Sequence, residues 1–368
     1  MFSISAQYYS HIYIWLVTIL SIIVFVQYSG HSSSRLSTSG NHSSLVIIVI
    51  SVFMTLFLGL RPVSEQFFVD MANYARDYSL ILGQPFVFEW NTDNKLFDNL
   101  FAFLASSHVP IEFFFLLIAA IYFIGISFAC SKLFPKDKIA ALLVYLGAFS
   151  TFSYGTNGIK AGAAASLFLV ALALYQNKQR IWMLLFLLLS IGFHHSMIMP
   201  VVCFIICLFV RDSKLFFILW IVSLLIAAFH VTIFQEFFGS IADEQGAGYL
   251  LGTDGNTRKD ILGGFRIDFI LYSTVPIFVG WLAVFRKRII SRQYTFLLNL
   301  YTMSNSIWLL CMYADFTNRI AYLSWLMLPI VLIYPFLNER WGKAQYKTFH
   351  WVAFGHLAFT LFMQYVYY

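Results

Sequence analysis

Apolar runs of near-bilayer length recur along almost the whole chain. They fall near residues 11–28, 45–60, 110–130, 139–153, 158–175, 181–193, 197–210, 215–233, 268–285, 294–312, 320–337 and 349–367. A helix needs roughly 20 apolar residues to cross the hydrocarbon core, and in lipid the backbone must satisfy its own polar groups. The expectation is therefore an all-α polytopic membrane protein of about twelve spans, folded as a single transmembrane domain over 1–368. Several runs are short, which leaves that count open by one or two. Only 11% of the residues are charged and 60% are hydrophobic, against roughly 25% charged in a soluble domain, so little is left for a soluble part. The N-terminal MFSISAQYYSH has no basic region, and the first run reads as a retained span.

The net charge of +6 does not argue for nucleic acid, because in such a chain the position of each Lys and Arg carries the information. Most of the 23 basic residues lie in the Ser-rich linker 30–44 and in SKLFPKDK (131–138), NKQR (177–180), RDSK (211–214), RKRIISR (286–292) and NERWGKAQYK (338–347). Asp137, Asp212 and Glu339 are the only acids there. Positive-inside bias puts these loops in the cytoplasm and both termini outside. The outer face then holds 61–109, TNGIK (156–160), GFHHS (192–196), 234–267 and DFTNR (315–319). Within 79–109 the helical spacing of Leu96, Phe97, Leu100, Phe101, Phe103 and Leu104 suggests an interfacial or re-entrant helix.

Ionisable residues concentrate at these outer borders, where they are costly unless paired or at work. Arg61, Lys160, Arg266 and Arg319 each read alone as structural or topological charges. Together they can surround one anionic group, since Arg forks and a Lys point charge suit phosphate oxygens. Asp70, Asp268 and Asp315 each lie within ten residues of one of these bases, as ion-pair partners or as general bases. His194 and His195, followed by Ser196, stand where one apolar run ends and the next begins. Cys203 and Cys207 share a helix face and read as packing, with no metal-ligand spacing elsewhere. Walker and serine-hydrolase motifs are lacking.

The blocks GLRP followed by Asp70 and Tyr74, NGIKAGAAASLFLVALAL, FHHSM, GFRIDFILYSTVPI and NRIAYLSWLMLPI resemble, in order, those of the EpsG-like branch of the Wzy O-antigen and exopolysaccharide polymerases. The resemblance implies a multi-pass inner-membrane glycosyltransferase with a GT-C-like fold. It would join oligosaccharide repeats carried on undecaprenyl diphosphate at the periplasmic face, with no metal or cofactor. It implies catalytic roles for Arg61, Asp70, His194, Arg266 and Asp268, and substrate-binding roles for Tyr74, Lys160, His195, Arg319 and Trp325. Lys160 stands where the family's block carries Arg, which keeps the charge and loses the bidentate fork. The bilayer, a chain-length regulator and a flippase of the same pathway are the implied partners. A lipid-linked-oligosaccharide flippase would instead line a path across the whole membrane, often with two related halves. A membrane O-acyltransferase would hold its catalytic His and Arg within the spans near the cytoplasm.

Overall fold

The computed structural model describes residues 4–29, 40–239, 248, 250 and 264–367. Most of the loop expected at 234–267, and much of the linker 30–44, lie outside them. Among the described residues every regular element is helical. In order these are α1 (Tyr9–Phe25), α2 (Gly40–Gly59), α3 (Val69–Ile81), α4 (Lys95–Ser106), α5 (Ile111–Leu133), α6 (Lys138–Leu146), α7 (Thr151–Thr156), α8 (Ile159–Gln176), α9 (Arg180–Phe193), α10 (Ile198–Phe209), α11 (Ser213–Ala228), α12 (Ile233–Gly239), α13 (Ile267–Trp281), α14 (Arg292–Leu310), α15 (Thr317–Trp325), α16 (Leu328–Leu337) and α17 (Gln345–Phe362), with short 3-10 and π turns at some ends.

Each expected apolar run is largely helical, but among the described residues six helical stretches are long and apolar enough to cross a membrane: Ala6–Tyr28, His42–Gly59, Ile111–Leu133, Ile159–Gln176, Ile267–Arg286 and Thr317–Leu337. Others fall short by length. The 14 residues of α9 rise about 21 Å, less than the roughly 30 Å core.

The chain divides into two compact units, one of Met1–His194, Phe336–Asn338 and Gly342–Tyr368, the other of His195–Pro335 and Glu339–Trp341. In the first, α5 and α8 form the centre, packed with α2 and α9. Without a hydrophobic force between helices in lipid, small residues and hydroxyls hold such helices together. Ser166 donates to the Ile121 carbonyl of α5 at 3.0 Å, Ser190 of α9 to the Ala164 carbonyl at 2.7 Å, and Ser51 of α2 to Ser127 at 2.6 Å. In the second unit α14 is central, packed with α10, α11, α13 and α15. Its buried Asn305 accepts from the Trp220 indole at 2.8 Å and donates to Ser324 at 3.0 Å.

The run 139–153 is the instructive departure, because it is one apolar stretch in sequence and two helices in space. α6 ends at Leu146 and α7 starts at Thr151, which strands carbonyls away from water. Hydroxyls replace the water. Thr151 donates to the Tyr145 carbonyl at 2.7 Å, Tyr13 to Leu146 at 2.8 Å and Thr360 to Gly147 at 2.7 Å. The break thus closes on side chains of α1 and α17.

The turn from α7 into α8 is equally tight. A Cβ on Gly162 would stand 2.3 Å from the Tyr154 carbonyl oxygen, a backbone atom with no room to yield. Gly162→Ala is expected to destabilise the protein by about 1–3 kcal/mol, as overpacking does, read as a lower melting temperature in detergent. An unchanged melting temperature would show that α7 can move off α8.

Hydrogen bonds inside the first unit respect the division of loops by charge. Tyr28 donates to Asp137 at 2.9 Å, Lys138 to Ser44 at 2.7 Å and Asn338 to the Leu133 carbonyl at 2.9 Å, all joining segments of the basic set. At the other end of the helices Tyr78 donates to the Val109 carbonyl at 2.8 Å, and the rings of His11 and Tyr365, near the two termini, lie 5.7 Å apart.

Candidate functional site

In the first unit, two of the residues flagged in the sequence, Tyr74 and Lys160, gather around one ring that the sequence does not single out as a site. Phe97, in the first turn of α4, is 1% exposed. The Tyr74 ring of α3 lies 5.6 Å from it, the Phe193 ring at the end of α9 lies 6.2 Å away, and Lys160 Nζ in the first turn of α8 sits 5.7 Å from its centroid. An ammonium at that range is held by the ring's quadrupole. Asp70 falls one helical turn before Tyr74, so the two share a face of α3. It is half-buried and lies in that helix's first turn, where a carboxylate complements the helix dipole.

His194 reaches the same corner because α9 stops there. Its backbone turns extended, φ −153° and ψ 118°, which swings the imidazole out of the helix. The Nδ1 atom lies 3.1 Å from Asn94 Oδ1. Asn94 is the N-cap of α4, yet its side chain makes no cap hydrogen bond. An Asn at that position ordinarily supports its helix by about 1 kcal/mol; here its amide goes to histidine instead. Gly192 permits the approach, since a Cβ there would lie 2.5 Å from Leu96 Cδ1. An Asn one residue before an apolar helical pattern is a readable cap signal, but its diversion to His194 is not readable locally.

Arg61 does something different from what its place among the outer cations suggests. It is 3% exposed, and its two terminal nitrogens donate to the carbonyls of Leu58 and Thr156. These belong to the last turns of α2 and α7, where carbonyls lack helical partners and the dipole favours a cation. Phe68 and Phe115 flank the guanidinium at 5.2 and 5.9 Å, and Nε is buried with no partner. Burial pulls its pKa down to about 9, with Tyr9 opposing, so it remains a cation at neutral pH. Arg61 therefore ties the end of α2 to the segment that leads through Asn157 and Gly158 into Lys160. It makes no pair with Asp70.

In the second unit Arg266 and Asp268 form a two-pronged ion pair, Nε to Oδ1 at 3.0 Å and Nη2 to Oδ2 at 2.6 Å. The guanidinium carbon lies 3.8 Å from the Phe269 centroid. Behind Phe269 stands Trp325, 2% exposed, 4.8 Å from it between ring centroids and donating its indole N–H to Ser273 at 2.8 Å. Trp325 thus braces the ring on which Arg266 rests. Arg319 lies 4.7 Å from the ring of Phe316, which adopts the left-handed φ of 49°. Asp315 is buried and makes no ion pair among the described residues. Of the three acid–base neighbours read in the sequence, Arg266 and Asp268 form an ion pair among the described residues. His195 opens a 3-10 turn to Met197, half-buried.

Among the described residues no group of three His, Cys, Asp or Glu side chains is close enough to hold a metal ion. All four cysteines are buried free thiols. What the first unit brings together is an ammonium and a tyrosine on one aromatic ring, with an imidazole held at the start of the same helix, at the end of the helices opposite the basic loops. That set can neutralise an anion, orient a hydroxyl and accept its proton. Residues 44–368 match the EpsG family. The chain belongs to the EpsG family. This places it among polysaccharide-polymerase-like membrane proteins, a family associated with glycosyltransferase activity. No curated protein and no solved structure matches it. The EpsG match covers every block from Gly59 to Ile330 on which the sequence resemblance rests.

Proposed function

We propose that this EpsG-family chain polymerises oligosaccharide repeats carried on undecaprenyl diphosphate, at the periplasmic face of a bacterial inner membrane. In this reading each of the twelve apolar runs crosses once, so that the basic loops alternate with the site-bearing ones. A GT-C-like arrangement and metal independence belong to the same proposal. The observation that carries it is that Tyr74 and Lys160 meet around Phe97 while His194 meets Asn94 at the start of the same helix. Three separate sequence blocks supply them, at the end away from the basic loops.

In the reaction the bond between the anomeric carbon and the lipid diphosphate breaks, and one forms to the acceptor hydroxyl. The diphosphate departs with the electron pair, and Lys160 balances its charge where it develops. Arg266 and Arg319 are proposed as further anion contacts in the second unit. The hydroxyl proton passes to a base, for which His194, Asp70 and Asp268 are the candidates. Tyr74, His195 and Trp325 orient or brace the sugars. A chain-length regulator and a flippase are the proposed partners. Deleting the gene in its host is expected to leave one repeat per anchor on the surface glycan while repeats are still made and exported. Accumulation of repeats on the cytoplasmic side would favour a flippase. Unchanged chain lengths with missing acyl groups would favour an acyltransferase.

A further inference from the structure

We propose that Phe88 and Trp90, in the loop between α3 and α4, form a sugar-binding platform that retains uncharged sugars of the growing glycan. The proposal rests on the polymerase reading and goes beyond it by giving the product chain a place on the protein.

The platform is exposed and yet fastened. Trp90 is 71% exposed and Phe88 39%, and their rings stand 4.6 Å apart between centroids. Glu89, the residue between them, is tied down by the buried Asn99 of α4. Asn99 Oδ1 accepts from the Glu89 N–H at 2.8 Å, while Nδ2 donates to the Glu89 carbonyl at 2.9 Å and to the Lys95 carbonyl at 2.7 Å. The amide's oxygen and both its hydrogens are thus engaged, two of the three contacts on the backbone between the rings. The Thr92 hydroxyl donates to Asp98, and the Asn91 N–H donates to the Glu89 carboxylate at 3.1 Å. Ordering a loop costs about 1–2 kcal/mol per residue in backbone entropy. Two large rings ordered in this way and left uncovered mark an interaction site whose entropy cost is met before the partner arrives.

The platform shares its helix with the corner built on Phe97. Phe97, Asp98 and Asn99 are consecutive on α4. The first meets Tyr74 and Lys160, and the other two hold the loop.

Charge and shape choose the occupant. The C–H groups on the face of a sugar ring suit the negative face of an aromatic ring, and the sugar's hydroxyls need acceptors at the rim. Glu89, Asn91 and Asp93, all exposed, supply them. Residues 89–98 carry Glu89, Asp93 and Asp98 against Lys95 alone. That excess repels the phosphates of a lipid surface and the carboxylates of acidic sugars alike, and leaves uncharged sugars as the fitting class.

The test titrates the full-length protein in detergent with short oligomers released from the host's own surface glycan, freed of their lipid. Trp90→Ala is expected to weaken binding about tenfold or more, the scale of truncating an aromatic anchor, and to shorten the surface chains at equal protein level. Trp90→Phe keeps a ring and should retain most of the binding. Trp90→Leu keeps apolar surface without a flat face and should bind as poorly as the alanine variant. Because Trp90 is exposed, none of the three threatens the fold. A wild type that binds no oligomer, or undiminished binding in Trp90→Ala, overturns the proposal. So does a Trp90→Leu variant that binds and polymerises like the wild type, which would mark the loop as a bilayer anchor. If the wild type fails to extend the single-repeat lipid extracted from the deletion strain, the polymerase reading falls, and oligomer binding still decides whether the platform exists.

Discussion

Arg61→Lys is expected to cost about 1–3 kcal/mol of stability, the penalty of one buried carbonyl left without a donor, and to depress polymerisation with it. The guanidinium uses two separate nitrogens to reach the carbonyls of Leu58 and Thr156. An ammonium is a single point and cannot span both while staying between Phe68 and Phe115. Arg61→Leu removes the desolvated charge but strands both carbonyls, and should be worse than lysine. The loss should reach activity because Thr156 lies four residues before Lys160, so slackening this tie lets the start of α8 move. Thermal unfolding in detergent and glycan chain length in cells, each normalised to protein in the membrane, measure the two effects. Full stability together with lost activity would mean that Arg61 meets the lipid diphosphate directly.

How much of this was legible in the sequence depends on the range of the interaction that decides it. The helices were legible, because lipid leaves a spanning backbone no alternative and apolar length reports it. The break between α6 and α7 was not. Gly147 and Ser150, which end α6 and begin α7, are weak signals inside so apolar a run, and two of the three hydroxyls that tolerate the break come from far away, on Tyr13 and Thr360. The sorting of loops by basic residues anticipated which ends of the first unit's helices come together, as Lys138 with Ser44 and Asn338 with Leu133 show. At the site, Tyr74, Lys160 and His194 could be flagged because polar residues at membrane borders are scarce. Arg266 with Asp268 could be read from two-residue spacing. Phe97 and Asn94 could not, since aromatics make up 19% of the chain and Asn94 meets His194 across 100 residues. Arg61 carried the reverse lesson. A cation at the outer border reads as an anion ligand until the structure shows helix-end carbonyls around it.

Lys160→Met is expected to reduce polymerisation by about 10²–10³-fold, the scale of losing one preorganised group that stabilises developing charge, while leaving the protein folded in the membrane. Methionine keeps the length and the apolar stem against Phe97, so packing at the corner should survive and only the charge is lost. The position explains why the charge is there. Lys160 lies in the first turn of α8, where the helix dipole is positive and a cation is disfavoured. Phe97 offsets that cost in part. A cation placed against the dipole adds its field to the backbone N–H groups of the same turn, and both favour an arriving diphosphate. Lys160→Arg restores the charge and adds a fork, and should recover most of the activity. Lys160→Glu should be the most damaging of the three, since it repels the leaving group as it forms. Rates on the single-repeat lipid, with circular dichroism and membrane level as controls, check all three variants. Equal activity of the Met and Arg variants would leave Lys160 with a packing role alone, and would move the anion site to Arg266 and Arg319.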